Sequence, residues 1–381
     1  LSVLREIRLE EEYNMEKKSK WGVGIVGAGG WGGLAHVPAL AALDTYETKA
    51  VTGTRSESAR AAAESHGIER FYTDALEMAK QRDIDVVAVT VKVPEHDRLI
   101  RAAIEAGKHV YSEWPLARNT AEAEALLALA EERRVNHIVG LQARGNPTVR
   151  YIRDLVVTGA VGRVLAVNCI ATLPVFPTRN GTVDMAHVYL LDESNGANQL
   201  TIGAAHLLDP IEYIVAPFAE VSATLATQYP EVYVDETGKT VRANAPDHVL
   251  ISGKLAQGTL VSMQFINAGE PGFTLRIIGT EGELVVTPRD GLMFQMDRLN
   301  LKIVRPSGDT ETLETPDGYA SIAQNTPPGP GYNVAHLYAL FAERLAGGEV
   351  GLPDFAQAVR LHRLMDAIRA SSATGIRQAV E

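Results

Sequence analysis

The stretch Val23 to Gly33, which reads VGIVGAGGWGG, limits what this chain can fold into more than any other. A short apolar run, Trp21 to Val26, breaks into glycines and resumes as the helix-compatible segment Leu34 to Leu43. Gly27, Gly29 and Gly32 fall at G-x-G-x-x-G spacing, with Gly30 and Trp31 between them. Each glycine has a task in that spacing. The first permits the tight strand-to-helix turn, the second lets a pyrophosphate approach the backbone, and the third lets the helix pack close to the strand. The helix N-terminus then faces the phosphate charge. With 33 glycines in 381 residues the spacing alone also arises by chance, so context decides. Here a strand precedes, a helix follows, and a second strand, Thr48 to Thr52, comes about one βαβ unit later, which points to a dinucleotide site.

Downstream, predicted strands and helices alternate. Ser58 to Ser65 reads as a helix with Ser56 as its N-cap, and Asp74 to Lys80 as the next. Ile84 to Val91 is apolar enough to be a strand buried on both faces. Glu95 to Ala106 is a helix closed by Gly107, His109 to Ser112 a strand, Thr120 to Arg133 a helix and Asn136 to Gly140 a strand. This alternation predicts an α/β fold with a parallel, doubly wound sheet and its ligand at the carboxyl ends of the strands. From about Leu141 the rhythm changes. Leu200 to Val215 reads as one helix carrying His206 and Asp209, five strands follow between Val221 and Thr287, and helices Asn333 to Ala346 and Asp354 to Ala370 come last. The expected organisation is an N-terminal extension (1–20), a Rossmann-type NAD(P)-binding domain (21–140), and an α+β domain with a mostly antiparallel open sheet for substrate and subunit contacts (141–381).

Composition narrows the partners. A formal net charge of -11 and a pI near 5.5 speak against nucleic acid, whose phosphates call for clustered Lys and Arg. Cys169 is the only cysteine, so neither an intrachain disulfide nor a cysteine zinc cluster is available, which fits a reducing cytoplasm. No window reaches the ~18 apolar residues of a membrane span, and the start of the chain lacks the order of a signal peptide. No His-x-x-x-His pair or acidic cluster at ligand spacing suggests a metal. A small molecule is the expected partner.

At the end of the second strand, where an acidic residue would take the ribose hydroxyls of NAD, the chain reads Gly53-Thr54-Arg55-Ser56. A cation with two hydroxyls suits a 2'-phosphate, so NADP is expected ahead of NAD. A solvated turn with an incidental arginine is the competing reading.

The third informative stretch is Val91-Lys92-Val93-Pro94-Glu95-His96, followed by Tyr111-Ser112-Glu113-Trp114-Pro115. With these residues in view, the chain from Trp21 onward resembles the glucose-fructose oxidoreductase, inositol dehydrogenase and rhizopine-catabolism (Gfo/Idh/MocA) family. The resemblance implies that Val91, Val93, His96, Glu113, Trp114 and Arg144 lie beside the cofactor along with the glycine turn. It also implies a homo-oligomer, dimer or tetramer, formed through the open sheet. The family usually has Glu-Lys-Pro where this chain has Glu113-Trp114-Pro115, and an Asp where it has Ile202, four residues before the matching His206. The strings VKVPEH, EWPLA, GLQAR and LTIGAAHLLD are similar to the fungal galactose-regulon repressor of the same family, an NADP-binding regulator.

Two functions therefore stand open. In the first, an enzyme moves hydride between NADP and a sugar or polyol-like alcohol. His206 is then the base, Glu113 holds a hydroxyl or orients a neighbour, and Tyr111, Arg144, Asn146, His187 and Tyr189 offer polar contacts. In the second, NADP and a sugar are sensed without turnover, and Trp114 is a stacking surface. A core histidine and a structural carboxylate are the plainer readings of His206 and Glu113.

Overall fold

The computed structural model describes residues 20–172, 181–296, 298–320, 326 and 328–380, so the N-terminal extension lies outside them except for Lys20. The first six strands are β1 (Trp21–Val26), β2 (Tyr46–Thr52), β3 (Arg70–Tyr72), β4 (Val86–Val89), β5 (His109–Glu113) and β6 (His137–Gly140). They form one sheet in the order β3-β2-β1-β4-β5-β6, parallel throughout. The order reverses between β1 and β4, where an open sheet leaves a crevice for a ligand. All four residues of β4 are buried, as helices on both faces of a parallel sheet require.

Local chemistry sets the helices. Asp74 caps Ala75–Ala79 by accepting the Leu76 N–H at 2.8 Å, and Asn119 caps Thr120–Arg133 through Glu122 N. Ser56 is not a cap: it is the first residue of helix Ser56–His66, and the cap position belongs to Arg55, whose side chain makes no capping bond.

The chain then forms β7 (Val164–Thr172), the two-residue β8 (Thr182–Val183), β9 (Phe218–Ala226), β10 (Glu231–Val234) and β11 (Lys239–Arg242). After these come β12 (His248–Leu255), β13 (Leu260–Ile266), β14 (Gly272–Gly279), β15 (Glu283–Pro288), β16 (Leu299–Val304), β17 (Thr310–Leu313) and β18 (Gln378–Ala379). Nine of them make a sheet in the order β17-β16-β15-β14-β7-β13-β12-β9-β18, in which β7 and β13 are parallel and the other pairs antiparallel. The remaining three, β8, β10 and β11, build a small separate sheet over its own apolar cluster of Val183, Leu191, Val232 and Val234.

One face of the first sheet and the inner face of the nine-stranded sheet share a continuous core, from Val87 and Leu126 to Val249 and Leu364. Helix Gly331–Leu345 returns to the first sheet and packs Val334, Leu337, Tyr338 and Phe341 against Val23 and Ile25. The segment expected to be one helix, Leu200 to Val215, is a π-helical turn, Gln199–Ala204, running into an α-helix, Ala205–Ile214. Asn198 and Thr201 close the start of the π-helical turn as a reciprocal capping box.

Candidate functional site

The glycine turn has the geometry its spacing predicts. Gly27 sits at φ +97°, and a Cβ there would stand 2.6 Å from Val91 Cγ1. At Gly32 a Cβ would come 2.4 Å from Thr90 Oγ1, so strand and helix approach only because that side chain is missing. Around Gly29 and Gly30 nothing lies within 4 Å of the built Cβ position. These two open glycines border a groove of about 870 Å³ that runs past Val26, Thr52 and Val91, beyond the carboxyl ends of β1, β2 and β4. Trp31 Nε1 on the same loop is buried without a partner. A tight turn, bare backbone and an open groove at the sheet's switch point fit a dinucleotide with its pyrophosphate on the loop.

Thr54 and Ser58 line the groove, and Arg55 and Ser56 are exposed at the start of helix Ser56–His66 beside it. Asp74, which also lines it, has its carboxylate engaged in capping. Val93 and His96 are buried and do not line the groove, although Val91 and Glu95 beside them in the chain do. The His96 ring is buried, with Nδ1 2.8 Å from the Pro115 carbonyl and Nε2 2.9 Å from that of Val91. Burial lowers its pKa against the pull of the two carbonyls, and the ring ties the turn after β4 to the turn after β5.

Glu113, at the end of β5, is the centre of a buried network. His36 Nε2 lies 2.9 Å from its Oε1, and Gln142 Nε2 donates to its Oε2 at 2.7 Å. His36 Nδ1 in turn meets the Tyr338 hydroxyl at 2.9 Å. With Tyr338 donating to Nδ1 and Nε2–H donating to the carboxylate, a neutral His36 satisfies both contacts. The Tyr111 ring packs against both rings, and its hydroxyl is buried without a partner. His36, Gln142 and Tyr338 were not foreseen, because each reads as an isolated residue and only the fold brings them to Glu113.

Trp114 is 5% exposed, and its indole N–H donates to the Thr201 carbonyl at 2.6 Å while its ring packs on His362 at 4.9 Å. It is therefore a wall between the π-helical turn and helix Phe355–Thr374, with little face left for stacking on a ligand. His206 stands on the second residue of Ala205–Ile214 and is 6% exposed. Its Nδ1 is buried without a partner, and burial pushes its pKa down to about 3, so the ring is neutral at neutral pH.

Arg144 lies on the short helical turn Gln142–Gly145 that follows β6. Its guanidinium grips Asp209 bidentately, with Nε to Oδ2 at 2.9 Å and Nη2 to Oδ1 at 2.6 Å, and that carboxylate is fully buried. Asn146 caps helix Pro147–Val157 through Thr148 and Val149. His187 pairs with Asp184, and Tyr189 lies under the Lys92 ammonium, 4.5 Å from its ring centre. Lys92 also donates to the Ala186 carbonyl at 2.9 Å, a contact that sequence spacing does not foreshadow. Among the described residues no cluster of three His, Cys, Asp or Glu is placed to hold a metal, and no helix is long and apolar enough to cross a membrane.

Known proteins are similar to this chain in sequence and in fold. Residues 21–141 match the oxidoreductase family with an NAD-binding Rossmann fold, Gfo/Idh/MocA, and residues 147–288 match the C-terminal domain of Gal80p. The dehydrogenase aclE of Aspergillus oryzae is 38% identical over 218 residues, 56% of this chain and 58% of that protein, so the match spans little more than half of it. The dTDP-3,4-didehydro-2,6-dideoxy-alpha-D-glucose 3-reductase of Streptomyces violaceoruber is 30% identical over 367 residues, 91% of this chain and 94% of that one. A solved levoglucosan dehydrogenase, in complex with NADH and L-sorbose, is similar with a TM-score of 0.83 at 26% identity, over 95% of this chain and 99% of the other. On the glycine turn, the sheet order and these matches together, the chain belongs to the Gfo/Idh/MocA family of NAD(P)-binding oxidoreductases and carries a C-terminal domain like that of Gal80p.

Proposed function

We propose that this protein is a cytoplasmic, homo-oligomeric, NADP-dependent oxidoreductase that moves hydride between the nicotinamide and a CH–OH carbon of a sugar or polyol-like molecule. The observation that carries the proposal is the groove itself: open glycines at the sheet's switch point, beyond the carboxyl ends of β1, β2 and β4. NADP supplies the hydride acceptor or donor. Gly27, Gly29, Gly30 and Gly32 cradle its pyrophosphate, and Trp31 offers its unpartnered N–H nearby. Thr54, Arg55 and Ser56, where helix Ser56–His66 begins, read the 2'-phosphate by charge, hydroxyl and helix dipole.

His206 accepts the hydroxyl proton as a neutral imidazole, and its depressed pKa makes it a weak base that works in the oxidative direction only as the alcohol proton is leaving. Glu113 fixes the carboxyl end of β5 through His36 and Gln142 and acts as an orienting carboxylate. Trp114 shapes the wall of the pocket. Exposed Ile170, Leu250 and Leu260 on the outer side of β7, β12 and β13 support pairing of that sheet with another subunit. A second reading, a ligand sensor without turnover, is favoured by apolar Trp114 and Ile202 together with the low basicity of His206.

Calorimetric titration tests the cofactor: NADP is expected to bind at least tenfold tighter than NAD, about 1.4 kcal/mol, and Arg55→Ala to erase most of that preference. Equal affinities, or a preference for NAD, defeat it. Absorbance of the reduced cofactor across a panel of sugars, polyols and glycosides separates enzyme from sensor. Silence in both directions while NADP still binds gives the sensor.

A further inference from the structure

Lys92 follows Val91, one of the residues that line the cofactor groove, and its side chain leaves the first domain for the second. The ammonium donates to the Ala186 carbonyl at 2.9 Å and lies 4.5 Å over the ring of Tyr189. Both partners are neutral. Lys49 and Lys80 pair with carboxylates, whereas no carboxylate among the described residues lies within 4 Å of Lys92 Nζ. The nearby Asp184 carboxylate is engaged by the ring and backbone N–H of His187. An ammonium has three N–H donors, and the Ala186 carbonyl takes one.

Holding a long lysine in one place costs side-chain entropy, and a carbonyl plus an aromatic face offset it without neutralising the charge. The result is an exposed cation held by neutral groups, without a counter-ion among the described residues, next in the chain to a residue of the groove lining, in a chain of net charge -11. We propose that Lys92 is the oxyanion-binding group of this site, its ammonium held ready by Ala186 and Tyr189. Two oxyanions share this chemistry, the diphosphate of the cofactor and a carboxylate on a sugar-acid ligand. The second rests on the sugar-like ligand proposed above.

The test uses the full chain and three variants: Lys92→Met, Lys92→Arg and Tyr189→Leu. Methionine keeps an apolar stem over Tyr189, so a loss in that variant reports the charge. Calorimetry with NADP, and then with gluconate, glucuronate and glucose at saturating NADP, is run at low and high salt. Ten-fold or greater weakening of NADP in Lys92→Met, with rescue by Lys92→Arg and a flatter salt dependence, assigns the diphosphate. Unchanged NADP affinity assigns the carboxylate if the wild type prefers the acids to glucose and Lys92→Met loses that preference. In either case Tyr189→Leu is expected to give a smaller loss of the same kind. If Lys92→Met alters neither affinity nor salt dependence, the proposal is overturned, whatever the turnover assays give. A protein that shows these losses but turns over no sugar loses only the enzyme reading.

Discussion

Trp114 and His206 show how much a single position depends on its neighbours. The indole donates to Thr201 and packs on His362, and the imidazole has a buried nitrogen with nothing to bond. A base must be neutral to accept a proton, and the His206 pKa of about 3 keeps it neutral throughout the range from pH 5 to 8. In the oxidative direction kcat/KM is therefore expected to show no acid limb from this residue in that range, as a pH-rate profile would reveal. His206→Ala should lower turnover roughly a hundredfold, the usual scale for a lost general base, and leave the NADP dissociation constant unchanged. An acid limb near pH 6.5 that vanishes in His206→Ala would show that the ring is far more basic than its burial implies.

Among elements, the turn from β1 into the π-helical segment Gly32–His36 separates two roles that a bare glycine count merges. Gly27 serves the fold, through its positive φ and its contact with Val91, whereas Gly29 stands in open space. Gly27→Ala is expected to lower the melting temperature, on the scale of about 2 kcal/mol for a strained backbone and a forced contact, in the presence or absence of cofactor. Gly29→Ala should melt like the wild type alone and bind NADP at least tenfold more weakly, because its methyl takes the space meant for phosphate. Differential scanning fluorimetry with and without NADP distinguishes the two. An unaltered NADP affinity in Gly29→Ala would remove the pyrophosphate from this turn.

At the scale of the whole molecule, polar pairs tie the helices of the second domain to one another and to the turn that follows β6. Arg144 on the turn after β6 grips Asp209 on Ala205–Ile214, Gln357 on Phe355–Thr374 reaches the same carboxylate at 3.2 Å, and Arg360 binds Glu212. Three buried histidines, His206, His362 and His336, have their pKa values lowered to about 3, 3 and 4, mainly by desolvation. The unfolded chain titrates them near 6.5, so between their folded values and 6.5 it binds more protons than the folded one, and stability falls as pH falls. At pH 5 each costs at most about 2 kcal/mol. Thermal melts should shift down by several degrees between pH 7.5 and 5, and His362→Phe should lessen the shift. A melting temperature unchanged over that range would show the rings to be solvated.

The sequence by itself determined the order of strands and helices in the first domain, the glycine turn, the change of rhythm near Leu141 and the family, because periodicity, capping and turn chemistry act over a few residues. Thr120–Arg133 was legible to its ends, since an Ala- and Leu-rich run is a local signal, and Asn119 caps it as a short polar side chain can. The three strands of the small sheet were not, for they are two to four residues long and their cluster closes only when distant segments meet. What a polar side chain does was decided by tertiary structure alone. Arg144 reads as a polar contact beside the cofactor until Asp209 arrives from 65 residues away, and Glu113 as a holder of a hydroxyl until His36 and Gln142 close on it. A charge is free or spent according to its partners within about 4 Å, and residues far apart in the chain become such partners only when the core packs.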